Sequence, residues 1–122
     1  PGVWDFETGN RNVAEFIKIA KEEEMFVILR PGPYACGEWE FGGYPWFLQN
    51  ISGLKVRENN AQFLAACKEY INELAKQVAP LQVNNGGNII MTQVENERAQ
   101  RLYESLGWQR NTAFYGYLLD VT

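Results

Sequence analysis

Apolar residues group along this chain in two ways, as spaced stripes and as unbroken runs, and the two alternate. From Asn12 onward, Val13, Phe16, Ile17 and Ala20 fall at i, i+3, i+4 and i+7, which is one helical stripe, while Lys18, Lys21, Glu22 and Glu23 take outward positions. Asn12 with Glu15 three residues on reads as a capping box, so the pattern predicts a helix over 12–24. Its closing charge run, Lys21-Glu22-Glu23-Glu24, reads as a solvated helix end. Met25-Phe26-Val27-Ile28-Leu29 follows as an apolar run without alternation, stopped by Arg30-Pro31-Gly32-Pro33. Such a run predicts a strand buried on both faces of a parallel sheet, and the prolines prevent a helix from continuing it.

The clearest helix is predicted over 60–79, where Phe63, Cys67, Tyr70, Ile71, Leu74 and Val78 share one face and Pro80 marks the end. A Gly86-Gly87 turn leads into a second strand candidate, Asn88 to Val94, that ends in Glu95-Asn96-Glu97. Between the first strand and the long helix lies an irregular segment, 34–58, holding Tyr34, Trp39, Phe41, Tyr44, Trp46 and Phe47. Disordered segments are poor in aromatics, so an ordered, working loop is expected there. For most of these rings the expectation is that they bury one another. In the tail, Ala99, Leu102, Tyr103 and Leu106 outline a short helix, and the rest to Thr122 shows no period.

Helix, strand, long loop, helix, strand is the order of a β/α repeat protein. The fold class expected is α/β, a partial (β/α)8 TIM barrel. A full barrel takes roughly 250 residues, or about 31 per unit, so the chain would supply about three to four units and is read as a piece of a barrel. Residues 1–97 would supply the barrel units, and 98–122 would be a tail, helical at its start.

Charge and composition narrow the chemistry. The 122 residues carry 11 Lys plus Arg and 15 Asp plus Glu, a net charge of −4, with no basic cluster, so no nucleic acid partner is expected. No run of about 18 apolar residues exists, so no membrane span is expected. Histidine is absent, which removes Ser-His-Asp and Cys-His catalysis and His-ligated metals within the chain. Carboxylates are left as the main proton-transfer groups. Of the two cysteines, Cys67 sits in a helical stripe and reads as core; Cys36, without a basic neighbour, reads as pocket lining.

Two segments carry the candidate chemistry. Val94-Glu95-Asn96-Glu97 closes a strand, and in α/β barrels that end forms the active site. A carboxyl there can protonate a leaving group while the neighbouring amide binds a substrate hydroxyl; by spacing alone, Glu97 is equally a solvated residue past a strand. The loop Tyr34-Ala35-Cys36-Gly37-Glu38-Trp39-Glu40-Phe41-Gly42-Gly43-Tyr44-Pro45-Trp46 follows the first strand and so shares that end. Its aromatic faces suit sugar C–H faces, and its carboxylates suit sugar hydroxyls.

Together, Phe26 to Tyr34, Cys36 to Pro45 and Gln93 to Glu97 closely resemble the β-galactosidases of glycoside hydrolase family 35. The helix 60–79, Ala79-Pro80-Leu81-Gln82 and Gly86-Gly87 fit the same pattern, and the resemblance covers residues 1 to 97. It implies a catalytic (β/α)8 barrel and retaining hydrolysis of terminal, non-reducing β-D-galactosyl residues. Glu97 would be the general acid/base and Asn96 its hydroxyl-binding neighbour, with Cys36, Gly37 and Glu38 holding galactose hydroxyls. Gly37 stands where the family usually has Ala, and Arg98-Ala99 where the family continues with Tyr-Gly. The family's nucleophile is a Glu on a later strand, and no residue here matches it. No metal or organic cofactor is implied. The partners implied are a galactoside and the remainder of the barrel, and the compartment implied is secreted, periplasmic or lysosomal. Three rival readings stand beside this one: a barrel hydrolase of other sugar specificity, a non-catalytic carbohydrate-binding relative or decayed copy, and a β/α domain with no sugar role.

Overall fold

The computed structural model describes residues 3–35, 39–93 and position 104. Two α-helices and two strands order this part of the chain: α1, Val13–Glu22; β1, Val27–Leu29; α2, Ala61–Val78; and β2, Ile89–Thr92. The strands pair in parallel, with Val27 opposite Ile89, Ile28 opposite Met91 and Leu29 opposite Thr92, and the register slips between Val27 and Ile28. Parallel neighbours need a crossover, and the loop with α2 supplies it.

Each helix begins on an asparagine. Asn12 Oδ1 accepts from the Glu15 N–H at 2.9 Å, and Asn60 Oδ1 accepts from the Phe63 N–H at 3.0 Å. These side chains satisfy amides that the first helical turn leaves unpaired. At the other end of α1, Met25 N–H bonds the Ala20 carbonyl and Glu24 N–H bonds that of Lys21, with Glu24 at φ 58. That is a Schellman closure in which a glutamate occupies the left-handed position usually held by glycine. The charge run also has a specific contact: Lys21 Nζ donates to the Gly86 carbonyl at 2.6 Å.

The stripe of α2 serves two cores. Toward the C-terminus, Leu74 and Val78 pack with Ile17 and Ile89, flanked by Val13, Val27 and Leu29. Toward the N-terminus, Phe63 and Cys67 pack with Tyr44 and Leu48 of the long loop. Each fully buried side chain of this size contributes about 1.5–3 kcal/mol, so the loop is held by the helix that follows it. Tyr44 lies edge-on to Phe63 with ring centroids 5.6 Å apart, and Phe41 is edge-on to Tyr44 at 5.7 Å. As expected, Tyr34, Phe41, Tyr44 and Phe47 join one cluster; Trp39 and Trp46 do not, and are 74% and 73% exposed.

Two sequence expectations need correction. Phe16 is 71% exposed. The contact line of α1 is centred on Ile17, and a residue one position earlier lies about 100° around the helix from it. Residues 25–29 are not buried on both faces: Met25 and Phe26 are exposed and Ile28 is 51% exposed. Val27, Leu29 and Ile89 pack toward the helices, whereas Ile28 and Ile90 are exposed. Among the described residues the barrel expectation thus rests on one parallel pair and its crossover. No helix among them is long and apolar enough to cross a membrane.

Candidate functional site

Parallel pairing puts the C-terminal ends of β1 and β2 side by side. Leu29 faces Thr92, and one residue further on the Gln93 N–H donates to the Leu29 carbonyl at 2.8 Å. The two chain segments leaving these ends therefore start as neighbours: Arg30 onward from β1, and Gln93 onward from β2. The expected site residues Cys36, Gly37, Glu38, Asn96 and Glu97 lie outside the described residues. What is described is the framework from which their segments depart.

That framework is tightly tied on the β1 side. Tyr70, from the stripe of α2, donates its hydroxyl to the Pro31 carbonyl at 2.6 Å, and burial raises its pKa above the usual phenol value. Two residues past the strand, the chain is thus anchored to the helix. Further on, the Ala35 N–H donates to the Gly42 carbonyl at 2.8 Å, and the Gly42 N–H donates to the Trp39 carbonyl at 3.0 Å. Phe41, Gly42 and Gly43 take φ values of 54°, 62° and 78°, a run of left-handed residues that turns the chain back on itself. Gly42 is required for a second reason: a Cβ there would collide with Cε2 and Cδ2 of Tyr34. The Arg57 guanidinium lies 4.0 Å from the centroid of the same Tyr34 ring.

On the β2 side the support comes from Asn88, a buried polar residue. Its Nδ2 donates to the carbonyls of Ile17 and Met25 at 3.0 and 3.1 Å, and its own carbonyl accepts from Val27 N–H at 2.8 Å. Through its side chain and its backbone carbonyl, this one residue joins α1, the segment entering β1 and β1 itself to the start of β2. Just before it, Gly87 packs on the Leu81 carbonyl where a Cβ has no room. The patterning picks out neither Asn88 nor Arg57 as a support. Their partners lie far off in sequence at no periodic spacing, and a lone Asn or Arg carries no local signal. Cys67 is a buried thiol, as its stripe position implied, and burial pushes its pKa from 9.0 to about 11.

Comparison with known proteins places this framework among glycosidases. The family model described as Glycosyl hydrolases family 35 matches residues 1–114, a span that runs past the last motif residue, Glu97. A β-galactosidase of Xanthomonas manihotis is 48% identical over 114 residues, covering 93% of this chain and 19% of that protein. A β-galactosidase of Mus musculus is 42% identical over 97 residues, covering 80% of this chain and 15% of that protein. Beta-galactosidase 8 of Oryza sativa subsp. japonica is 36% identical over 122 residues, covering 99% of this chain and 17% of that protein. The chain spans less than a fifth of the length of these curated relatives.

Proposed function

The chain belongs to glycosyl hydrolase family 35, and from that premise we propose that it forms part of the (β/α)8 catalytic barrel of a retaining β-galactosidase and supplies the acid/base side of the site. The substrate is a terminal, non-reducing β-D-galactosyl group. Glu97 protonates the departing glycosidic oxygen and then takes a proton from the incoming water. Asn96 bonds a sugar hydroxyl beside it, and Cys36, Gly37 and Glu38 hold further hydroxyls. The observation that carries this reading is the parallel register of β1 and β2, which starts the two motif segments from one end of the sheet. In barrel enzymes that end holds the chemistry.

The mechanism divides the work between two carboxyl groups about 5–5.5 Å apart. One, on a later strand of the barrel, attacks the anomeric carbon and forms a galactosyl ester as the C–O bond to the leaving group breaks. The other, Glu97, is protonated at that moment and ionised when water attacks the ester. A carboxyl works in both roles when its pKa is raised toward neutrality by burial and by the negative charge of its partner, and galactosylation removes that charge and lets the acid become a base.

The test uses the full-length protein that carries this chain, with aryl β-galactosides of graded leaving-group acidity. Protonation matters most where the leaving group is a poor one. Glu97→Gln is expected to lower kcat/KM by about 10²–10⁴-fold on a weakly acidic phenol and far less on a dinitrophenol. Equal losses on both substrates would contradict the acid role. Galactose binding without hydrolysis by the unsubstituted protein would favour a binding-only relative.

A further inference from the structure

Tyr34, Gly42 and Arg57 form a connected support that the reaction above does not use. Gly42 ties both flanks of the three-residue stretch 36–38, accepting from the Ala35 N–H and donating to the Trp39 carbonyl. The place of Gly42 therefore sets the separation of the two chain ends entering that stretch. Gly42 is in turn located by the Tyr34 ring, which occupies the space a side chain at 42 would need. The ring is held by two neighbours: Tyr44, with centroids 5.9 Å apart, and the Arg57 guanidinium at 4.0 Å. Tyr44 is itself fixed in the cluster built on Phe63 of α2. Arg57 reaches the ring from the far end of the long loop, with its backbone at φ 59, a conformation that a side-chain-bearing residue seldom adopts. Left-handed backbone at Phe41 and at Arg57 thus falls on the two segments that grip Tyr34. Strain kept in this way is maintained by surrounding contacts and concentrates where geometry matters for function.

We propose that Arg57 is a positioning residue: stacked on Tyr34, and through Tyr34 and Gly42, it fixes the ends of the segment 36–38 and so sets how firmly a galactosyl group is held. This rests on the assignment of Cys36, Gly37 and Glu38 to sugar hydroxyls. On this reading Arg57 acts on the sugar through Tyr34 and Gly42, so its loss weakens binding without altering the bond-breaking step.

The experiment takes the full-length protein in four forms: unsubstituted, Arg57→Ala, Arg57→Lys and Gly42→Ala. Arg57→Ala is expected to raise KM for an aryl β-galactoside about two- to fivefold with kcat unchanged, the size a lost exposed cation–ring contact allows. Arg57→Lys keeps a cation over the ring and should restore most of the affinity, whereas Gly42→Ala should reproduce the rise in KM. Amide hydrogen exchange, which needs no sugar, is expected to quicken at Ala35 and Gly42 in Arg57→Ala. A fall in kcat at constant KM, or unchanged KM with unchanged exchange, overturns the proposal. An unsubstituted protein silent on every galactoside counts instead against the galactosidase reading. The exchange arm then decides alone, and unchanged protection of Ala35 and Gly42 in Arg57→Ala overturns the clamp.

Discussion

Replacing Asn88 with alanine removes two donors from a buried position and leaves the Met25 carbonyl without its side-chain partner. Deleting such a side chain costs the bonds and the desolvation of what remains, so Asn88→Ala is expected to destabilise the protein by about 2–3 kcal/mol in denaturant unfolding. Substitution by leucine should be no better, because it fills the space without supplying a donor. Cys67 gives a prediction of a different kind. Burial pushes its thiol from 9.0 to about 11, so between those values the unfolded chain has lost a proton that the folded chain keeps. Its contribution to stability is complete below the ordinary thiol pKa and declines as pH rises from about 9 to about 11. Unfolding midpoints measured across that range should fall more steeply than in Cys67→Ala. A thiol reagent at about pH 8 should label Cys67 only after unfolding.

The helix α1 ends on a residue poorly suited to its conformation, since Glu24 sits at φ 58. Glycine there keeps both Schellman bonds and removes the Cβ clash, so Glu24→Gly is expected to stabilise the protein by about 1 kcal/mol, read as a higher unfolding midpoint. What the chain discloses about its elements depends on where their partners lie. The helix α2 is legible because its apolar stripe and Pro80 are local and agree with the structure, which adds the Asn60 cap. The face of α1 was only half legible. Val13, Phe16, Ile17 and Ala20 have equivalent periodicity, and only the placement of α2 and the sheet decides that Ile17 is inside and Phe16 outside. The loop 39–58 has no period, because its left-handed residues and short 3₁₀ turns are stabilised by packing on α2. Its aromatic richness signalled order, but not which rings would be buried. For the candidate site, the sequence motifs supply residue types and the parallel register supplies a common starting end; the Arg57–Tyr34 stack depends on a contact between residues 23 positions apart and left no local trace.

At the scale of the molecule, apolar side chains exposed on α1 and along the strand pair dominate behaviour. Phe16, Ile19, Met25, Phe26, Ile28 and Ile90 are all exposed, and apolar side chains left in water favour association. The 122-residue chain by itself is therefore expected to self-associate and to bind an apolar dye, and to hydrolyse no aryl β-galactoside. Hydrolysis by the purified chain, abolished by Glu97→Gln, would contradict that expectation. The central claim concerns the full-length protein: a proton donor from the end of β2 and a hydroxyl-binding segment from the end of β1 converge on one sugar. Its most direct measurement is a crystal structure of that protein with galactose bound. The account predicts Glu97 within hydrogen-bonding distance of the anomeric oxygen and Cys36 to Glu38 on the hydroxyls of the same ring; galactose touching neither segment, or the two segments at opposite ends of the barrel, would contradict it.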